Sequence, residues 1–289
     1  MPARGGPVEE GVLTTGDGLR LHYRERRPPG ADAQILLVHG VAEHGGRYRR
    51  FEEFFAGHRV GVSVMDLRGH GRSEGRRVWV PAFESYLEDL DLFLGHVCLH
   101  APAVFLLGHS LGGLIAIRHA ETRRAPIDGL ITSGAALRPA ITPSAPIRWV
   151  LRRLNALSSA TPVPGLVRPE QLSRDPAVVR QYEADPLVPG YVTTGLGLAS
   201  LEAGPLALAE AHRVGAPTLL LHGGADSVVE PRGSEELLSR LQVADKDLKV
   251  YPGLFHEIFN EPEREEVLTD VLRWIRARLS PFARRPPSR

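Results

Sequence analysis

A chain of 289 residues can hold one large domain with an insertion and bury a substantial core without disulfide or metal staples. Its 35 Lys and Arg residues nearly balance 34 Asp and Glu, a formal charge of +1, so no long-range field favours nucleic acid or an anionic surface. Cys98 is the only cysteine, which excludes a disulfide framework and a Cys-rich metal site. Met1 to Gly11 lacks an apolar core, and no later stretch approaches the roughly 18 apolar residues of a membrane span; the expectation is a soluble, cytoplasmic protein.

Val12 to Thr15 and Leu19 to Arg24, joined at Gly16-Asp17-Gly18, read as a hairpin. Ile35 to Val38, Val60 to Met65, Val104 to Leu107 and Gly129 to Thr132 read as short buried strands. Helical patterns over Arg47 to Ala56, Pro81 to Cys98 and Leu111 to Arg123 separate them, and such alternation predicts a mostly parallel sheet with helices on both faces. Prolines and short helical patterns then replace the alternation from about Arg138 to Pro205, which reads as an inserted cap. Strands resume at Thr218 to Leu221 and Leu248 to Tyr251, followed by an amphipathic helix through Val267, Val271, Ile275 and Leu279. The expected division is a core over 1–137 and 206–282, a helical cap over 138–205, and a disordered, Arg/Pro/Ser-rich tail over 283–289.

Leu106-Leu107-Gly108-His109-Ser110-Leu111-Gly112-Gly113 joins a strand pattern to a helical one through Gly-x-Ser-x-Gly. A serine at the tip of such a turn is in a strained backbone conformation, and positions two before and two after it have no room for bulk. A serine hydroxyl is a poor nucleophile at neutral pH; it needs an imidazole to take its proton and a carboxylate to hold that imidazole. In an open α/β sheet, functional residues gather beyond the carboxyl ends of the strands. Asp226, after Leu219-Leu220-Leu221, and His256, after Val250-Tyr251, meet that restriction, in the order Ser110, Asp226, His256 found in α/β hydrolases. The oxyanion of the tetrahedral intermediate needs N–H donors, expected from the backbone of Leu111, after the serine, and of Val41, after His39-Gly40.

These segments resemble the monoacylglycerol lipase-like serine hydrolases of the α/β-hydrolase fold. His39-Gly40-Val41-Ala42-Glu43-His44-Gly45-Gly46-Arg47-Tyr48 is similar to the family's oxyanion segment, and Asp66-Leu67-Arg68-Gly69-His70-Gly71-Arg72-Ser73-Glu74-Gly75 to its second signature. Gly108 to Gly113 matches its elbow, with Leu111 where the family often has Met, and Tyr182-Glu183-Ala184-Asp185-Pro186-Leu187 resembles a cap segment. The resemblance implies a serine esterase that forms an acyl-enzyme from a monoacylglycerol or similar single-chain lipid ester. Short-chain carboxylesterase, lysophospholipase, serine aminopeptidase and a ligand receptor on the same fold are the alternatives. Epoxide hydrolases and dehalogenases carry aspartate at the elbow, so Ser110 argues against both.

Asp66, Arg68, His70 and Ser73 read as a polar network fixing a loop, and Glu43 with Arg47 as a loop-to-cap tether. His44, His109 and His222 follow no metal-ligand spacing; neither metal nor cofactor is implied. In the cap, Ile147, Val150, Leu151, Leu154 and Leu157 share one helical arc, whereas Trp149 points away among Arg148, Arg152 and Arg153. Trp149 is therefore a candidate for contact with substrate or with a lipid surface, and Tyr191, Leu196 and Leu198 are candidates for an acyl tunnel.

Overall fold

The computed structural model describes residues 6–123, 126–164 and 167–279, so the expected tail lies outside the described residues. Val8–Thr14 (β1) and Arg20–Arg26 (β2) form the expected hairpin, and β2 lies antiparallel to Val60–Met65 (β4). Ala33–Val38 (β3), β4, Val104–His109 (β5), Gly129–Ser133 (β6), Thr218–Gly223 (β9) and Lys246–Tyr251 (β10) are mutually parallel, in the order β1-β2-β4-β3-β5-β6-β9-β10. This is the α/β-hydrolase arrangement.

Strand side chains alternate between two apolar layers. Leu36, Val38 and Leu106 face a layer with Leu90 and Phe93 of Glu84–Cys98 (α2) and Ile115 of Leu111–Thr122 (α3). Ile35, Leu37 and Phe105 face the opposite layer with Phe55 of Arg49–Gly57 (α1) and Val271 of Arg264–Arg278 (α8). Because both faces are covered, the strands are almost continuously apolar rather than alternating with polar residues. The β9 to β10 crossover is Pro231–Arg240 (α7), a helix the sequence reading omits because its apolar stripe is little more than Leu237 and Leu238.

Between β6 and β9 lie Ala145–Leu157 (α4), Pro162–Pro164 (β7), Pro176–Ala184 (α5), Tyr191–Thr193 (β8) and Thr194–Glu210 (α6). The cap boundary expected at 205 falls inside α6, which carries Pro205 in its interior and continues to Glu210. Close packing overrides the proline: Ala203, Ala207 and Leu208 are buried, and a Cβ on Gly204 would stand 2.7 Å from Leu137 O. Among the described residues, no helix is long and apolar enough to cross a membrane.

One residue, Ser110, separates β5 from α3. Its φ of 52° and ψ of −117° lie where a non-glycine side chain is strained. The reversal brings strand and helix within backbone contact: a Cβ on Gly108 would stand 2.2 Å from Gly112 O, and one on Gly112 2.1 Å from Val38 O. Gly112→Ala is therefore expected to destabilise the fold by roughly 1–3 kcal/mol, the usual cost of overpacking. Gly95→Ala, with no atom within 4 Å of its new Cβ, is expected to leave stability unchanged or raise it. Thermal melts of the two variants check this; equal melting temperatures would remove the close-approach account.

Candidate active site

The loops after β5, β9 and β10 carry Ser110, Asp226 and His256 to one edge of the sheet. Glycines let these loops meet. A Cβ on Gly223 would lie 2.1 Å from Phe255 O, and one on Gly134 would lie 3.2 Å from the His256 ring and 3.4 Å from Asp226 Oδ2. His256 Nδ1 donates to Asp226 Oδ2 at 2.7 Å, which leaves the Nε2 lone pair as the free, basic face of the ring. Ser110 and His256 line the same cavity, although no hydrogen bond between them is among those made by the described residues. In ligand-free sites such bonds commonly tighten only with substrate present.

Asp226 is held on both oxygens. Oδ1 accepts the N–H groups of Val228 (2.8 Å) and Val229 (3.0 Å), and Oδ2 lies 3.2 Å from His222 Nε2. His222 is fully buried, and the same nitrogen meets Val229 O at 3.1 Å, so it carries the hydrogen. The sequence reading treats His222 only as a flanking histidine; its position four residues before the carboxylate was the available signal. Burial works against the Asp226 charge, but His256, His222 and the loop N–H groups outweigh it and hold the carboxyl well below its usual range. For His256, burial disfavours the imidazolium, yet the Asp226 carboxylate beside it, with Glu257 and Glu43, raises the ring above the ordinary histidine value.

Leu111 opens α3, so its N–H has no carbonyl one turn back and sits at the positive end of the helix dipole. Val41 lines the cavity, followed by Ala42 at a φ of 54°, another non-glycine residue in the left-handed region. Glu43 Oε1 accepts the Gly40 N–H and the Tyr48 hydroxyl, folding the loop back on itself. His39 joins this loop to the one after β4, accepting the Leu67 N–H at 2.9 Å through Nε2. In that neighbouring loop Asp66 accepts N–H groups from Gly45 and Arg72, Arg68 pairs with Asp89, and burial lowers His70 to about 3. These residues form the polar network expected of them.

A cavity of about 220 Å³ opens at Ser110. Its polar lining includes Glu43, Arg47, Tyr182 and Glu257, and its apolar lining includes Val167, Leu172, Pro189 and Val192 from the cap. Tyr191 lines it as well, and Trp149, Leu196 and Leu198 do not. Leu196 and Leu198 are buried, Leu196 in the layer that also holds Ala203 and Ala207, so α6 turns these leucines to packing rather than to the cavity. Trp149 is 60% exposed, beneath the Arg153 guanidinium. The apolar arc of α4 is exposed too, at Ile147, Val150, Leu154 and Leu157, because that helix buries no residue. Glu257 is absent from the sequence reading, although a carboxylate adjoining the candidate base was visible there. Among the described residues no His/Cys/Asp/Glu cluster is arranged to hold a metal ion.

The Hydrolase_4 family, described as serine aminopeptidase, S33, matches residues 29–263. A monoacylglycerol lipase of Mycolicibacterium smegmatis is 36% identical over 83% of this chain and 87% of its own length. The monoglyceride lipase of Rattus norvegicus is 32% identical over 93% of this chain and 90% of its own. The crystal structure of the Paleococcus ferrophilus monoacylglycerol lipase superposes with a TM-score of 0.80 at 33% identity, covering 94% of this chain and 99% of that one. The strand order, the elbow and these likenesses agree: the chain belongs to the monoacylglycerol lipase-like serine hydrolases of the α/β-hydrolase fold, enzymes that act on esters.

Proposed function

We propose that this enzyme hydrolyses monoacylglycerols or similar single-chain lipid esters through an acyl-enzyme on Ser110. The observation that carries the reading is one cavity at Ser110 bearing both an apolar cap wall and a set of polar side chains, suited to an acyl chain and a hydroxylated alcohol respectively. His256 Nε2 takes the Ser110 proton as Oγ attacks the ester carbonyl, with Asp226 holding the Nδ1–H. The N–H groups of Val41 and Leu111 bind the oxyanion. Collapse expels the alcohol, protonated by His256; a water activated by the same nitrogen then attacks the acyl-enzyme and releases the fatty acid.

The aminopeptidase alternative requires a carboxylate free to receive a substrate ammonium group. Glu43 and Glu257 are both paired with Arg47, Asp185 is paired with His44 at 2.9 Å, and Glu183 is exposed outside the cavity lining, which favours the ester. A supporting contact with a lipid surface fits α4, where Trp149 and its apolar neighbours are exposed beside three arginines.

Four outcomes are expected. Rates on monoacylglycerols of increasing chain length exceed those on matched simple esters and on an aminoacyl amide, with Ser110→Ala as the inactive blank; preference for the amide would overturn the substrate assignment. The acid limb of kcat/KM lies above about 6.5, because His256 must be neutral to act and its carboxylate neighbours favour its proton to higher pH. In Asp226→Asn that limb moves down and the rate falls by about 10⁴. A flat profile from pH 5 to 8 would count against His256 as the base. Trp149→Ala lowers the ratio of micellar to dissolved-substrate rate, and an unchanged ratio would dismiss the interfacial role.

A further inference from the structure

Arg47 stands where three segments distant in sequence converge. Its Nη1 donates to Glu43 Oε2 at 2.8 Å and to Glu257 Oε1 at 2.6 Å, and its Nη2 donates to Glu257 Oε2 at 2.8 Å. Its guanidinium carbon lies 4.9 Å from the centre of the Tyr182 ring, on α5 of the cap. Each carboxylate belongs to a loop that carries a candidate catalytic group. Glu43 pins the Gly40 N–H, one residue before Val41, and Glu257 directly follows His256. Glu257 is itself fastened, with Asn260 Nδ2 donating to its Oε2 at 2.9 Å and its own N–H donating to Leu172 O at 2.8 Å.

We infer that Arg47 is a positioning residue that clamps the oxyanion loop against the base loop, so that the Val41 N–H and the His256 ring are presented to one carbonyl group together. The physics is a charge bridge. Glu43 and Glu257 are both nearly excluded from water, and without the guanidinium between them two buried carboxylates would face each other with no positive charge to offset their repulsion. That repulsion would push apart the two loops whose separation the oxyanion geometry depends on. The positive φ of Ala42 adds to the need, since a strained loop reverts when its restraint is removed. A planar fork meets two carboxylates at once, which a lysine ammonium does only as a point charge.

Arg47 also lines the cavity, so it could instead serve only to bind the alcohol of a monoacylglycerol, and the test separates these roles. The inference rests on the serine esterase reading above but not on the choice of alcohol. Arg47→Gln, Arg47→Lys and Glu257→Gln are assayed on a monoacylglycerol and on the methyl ester of the same fatty acid. Inhibition by an alkylboronic acid, whose tetrahedral adduct on Ser110 occupies the oxyanion position, is measured alongside. For Arg47→Gln the clamp requires kcat to fall about 10²-fold on both esters, with KM for the methyl ester within about threefold and boronate inhibition weakened in parallel with kcat. Arg47→Lys should recover part of the loss.

A loss confined to the monoacylglycerol, or carried by KM, with methyl-ester turnover and boronate inhibition intact, would overturn the clamp and make Arg47 an alcohol ligand. Should Arg47→Gln fail to fold, Glu257→Gln decides, since it keeps the side-chain volume and one acceptor; normal methyl-ester kcat in that variant also overturns the proposal. Poor monoacylglycerol hydrolysis by the unaltered enzyme, beside good methyl-ester hydrolysis, removes the lipid assignment and leaves the clamp test valid.

Discussion

The geometry of the site depends on how closely α3 approaches the sheet. Gly112 lies against the carbonyl of Val38, the last residue of β3, while Gly108 lies against Gly112 itself. With the helix seated that tightly, Ser110 has no alternative to its left-handed conformation, and its hydroxyl is held out from the sheet edge. The same approach brings the first N–H of α3 beside the loop after β3, so the proposed nucleophile and the proposed oxyanion donors share one mechanical origin. Asp226 and His256 then need only the ordinary parallel pairing of β9 and β10 to arrive at the same edge.

Around that edge the electrostatics are asymmetric. Asp226, Glu43 and Glu257 place three carboxylates near the His256 ring, and Arg47 supplies a single guanidinium among them. The imbalance favours a positive imidazole, the species that the proposed mechanism requires while the tetrahedral intermediate exists. In that mechanism, ground-state basicity and stabilisation of the developing ion pair come from the same fixed charges, which require no reorganisation during the reaction. His39, His70 and His109 are kept from competing for that proton by burial, which lowers all three.

The core was legible in the sequence because its signals are local. Valine and leucine runs bounded by glycine describe strands covered on both faces, and Gly-x-Ser-x-Gly between a strand and a helix describes a turn whose steric demands only those residues meet. The likeness of His39 to Tyr48 to a family segment extended that reading to the oxyanion loop. The cap was less legible because a helical wheel says which residues share a side but not what covers it. The wheel gathers Ile147 to Leu157 on one arc without saying what covers it, and α4 lies on the surface with that arc uncovered, while Leu196 is buried where a tunnel wall was expected. Pro205 marks the end of the compositional cap segment, although tertiary packing carries the helix through it. Glu257 and Tyr182 owe their place in the cavity to pairings with residues some 210 and 135 positions away, which no local pattern reports.

The continuity of α6 has a consequence for exchanging parts between relatives. The helix starts beside the cap strand β8, where Thr193 Oγ1 donates to Val78 O, and ends against α3 with Glu210 paired to Arg118. Cap and core are therefore not separable modules joined by two linkers, since a single rigid rod belongs to both. A graft cut at the apparent compositional boundary would sever that rod in mid-span and expose Ala207 and Leu208. A transplantable unit has to run from the end of β6 to the start of β9 and bring with it a surface matched to α3.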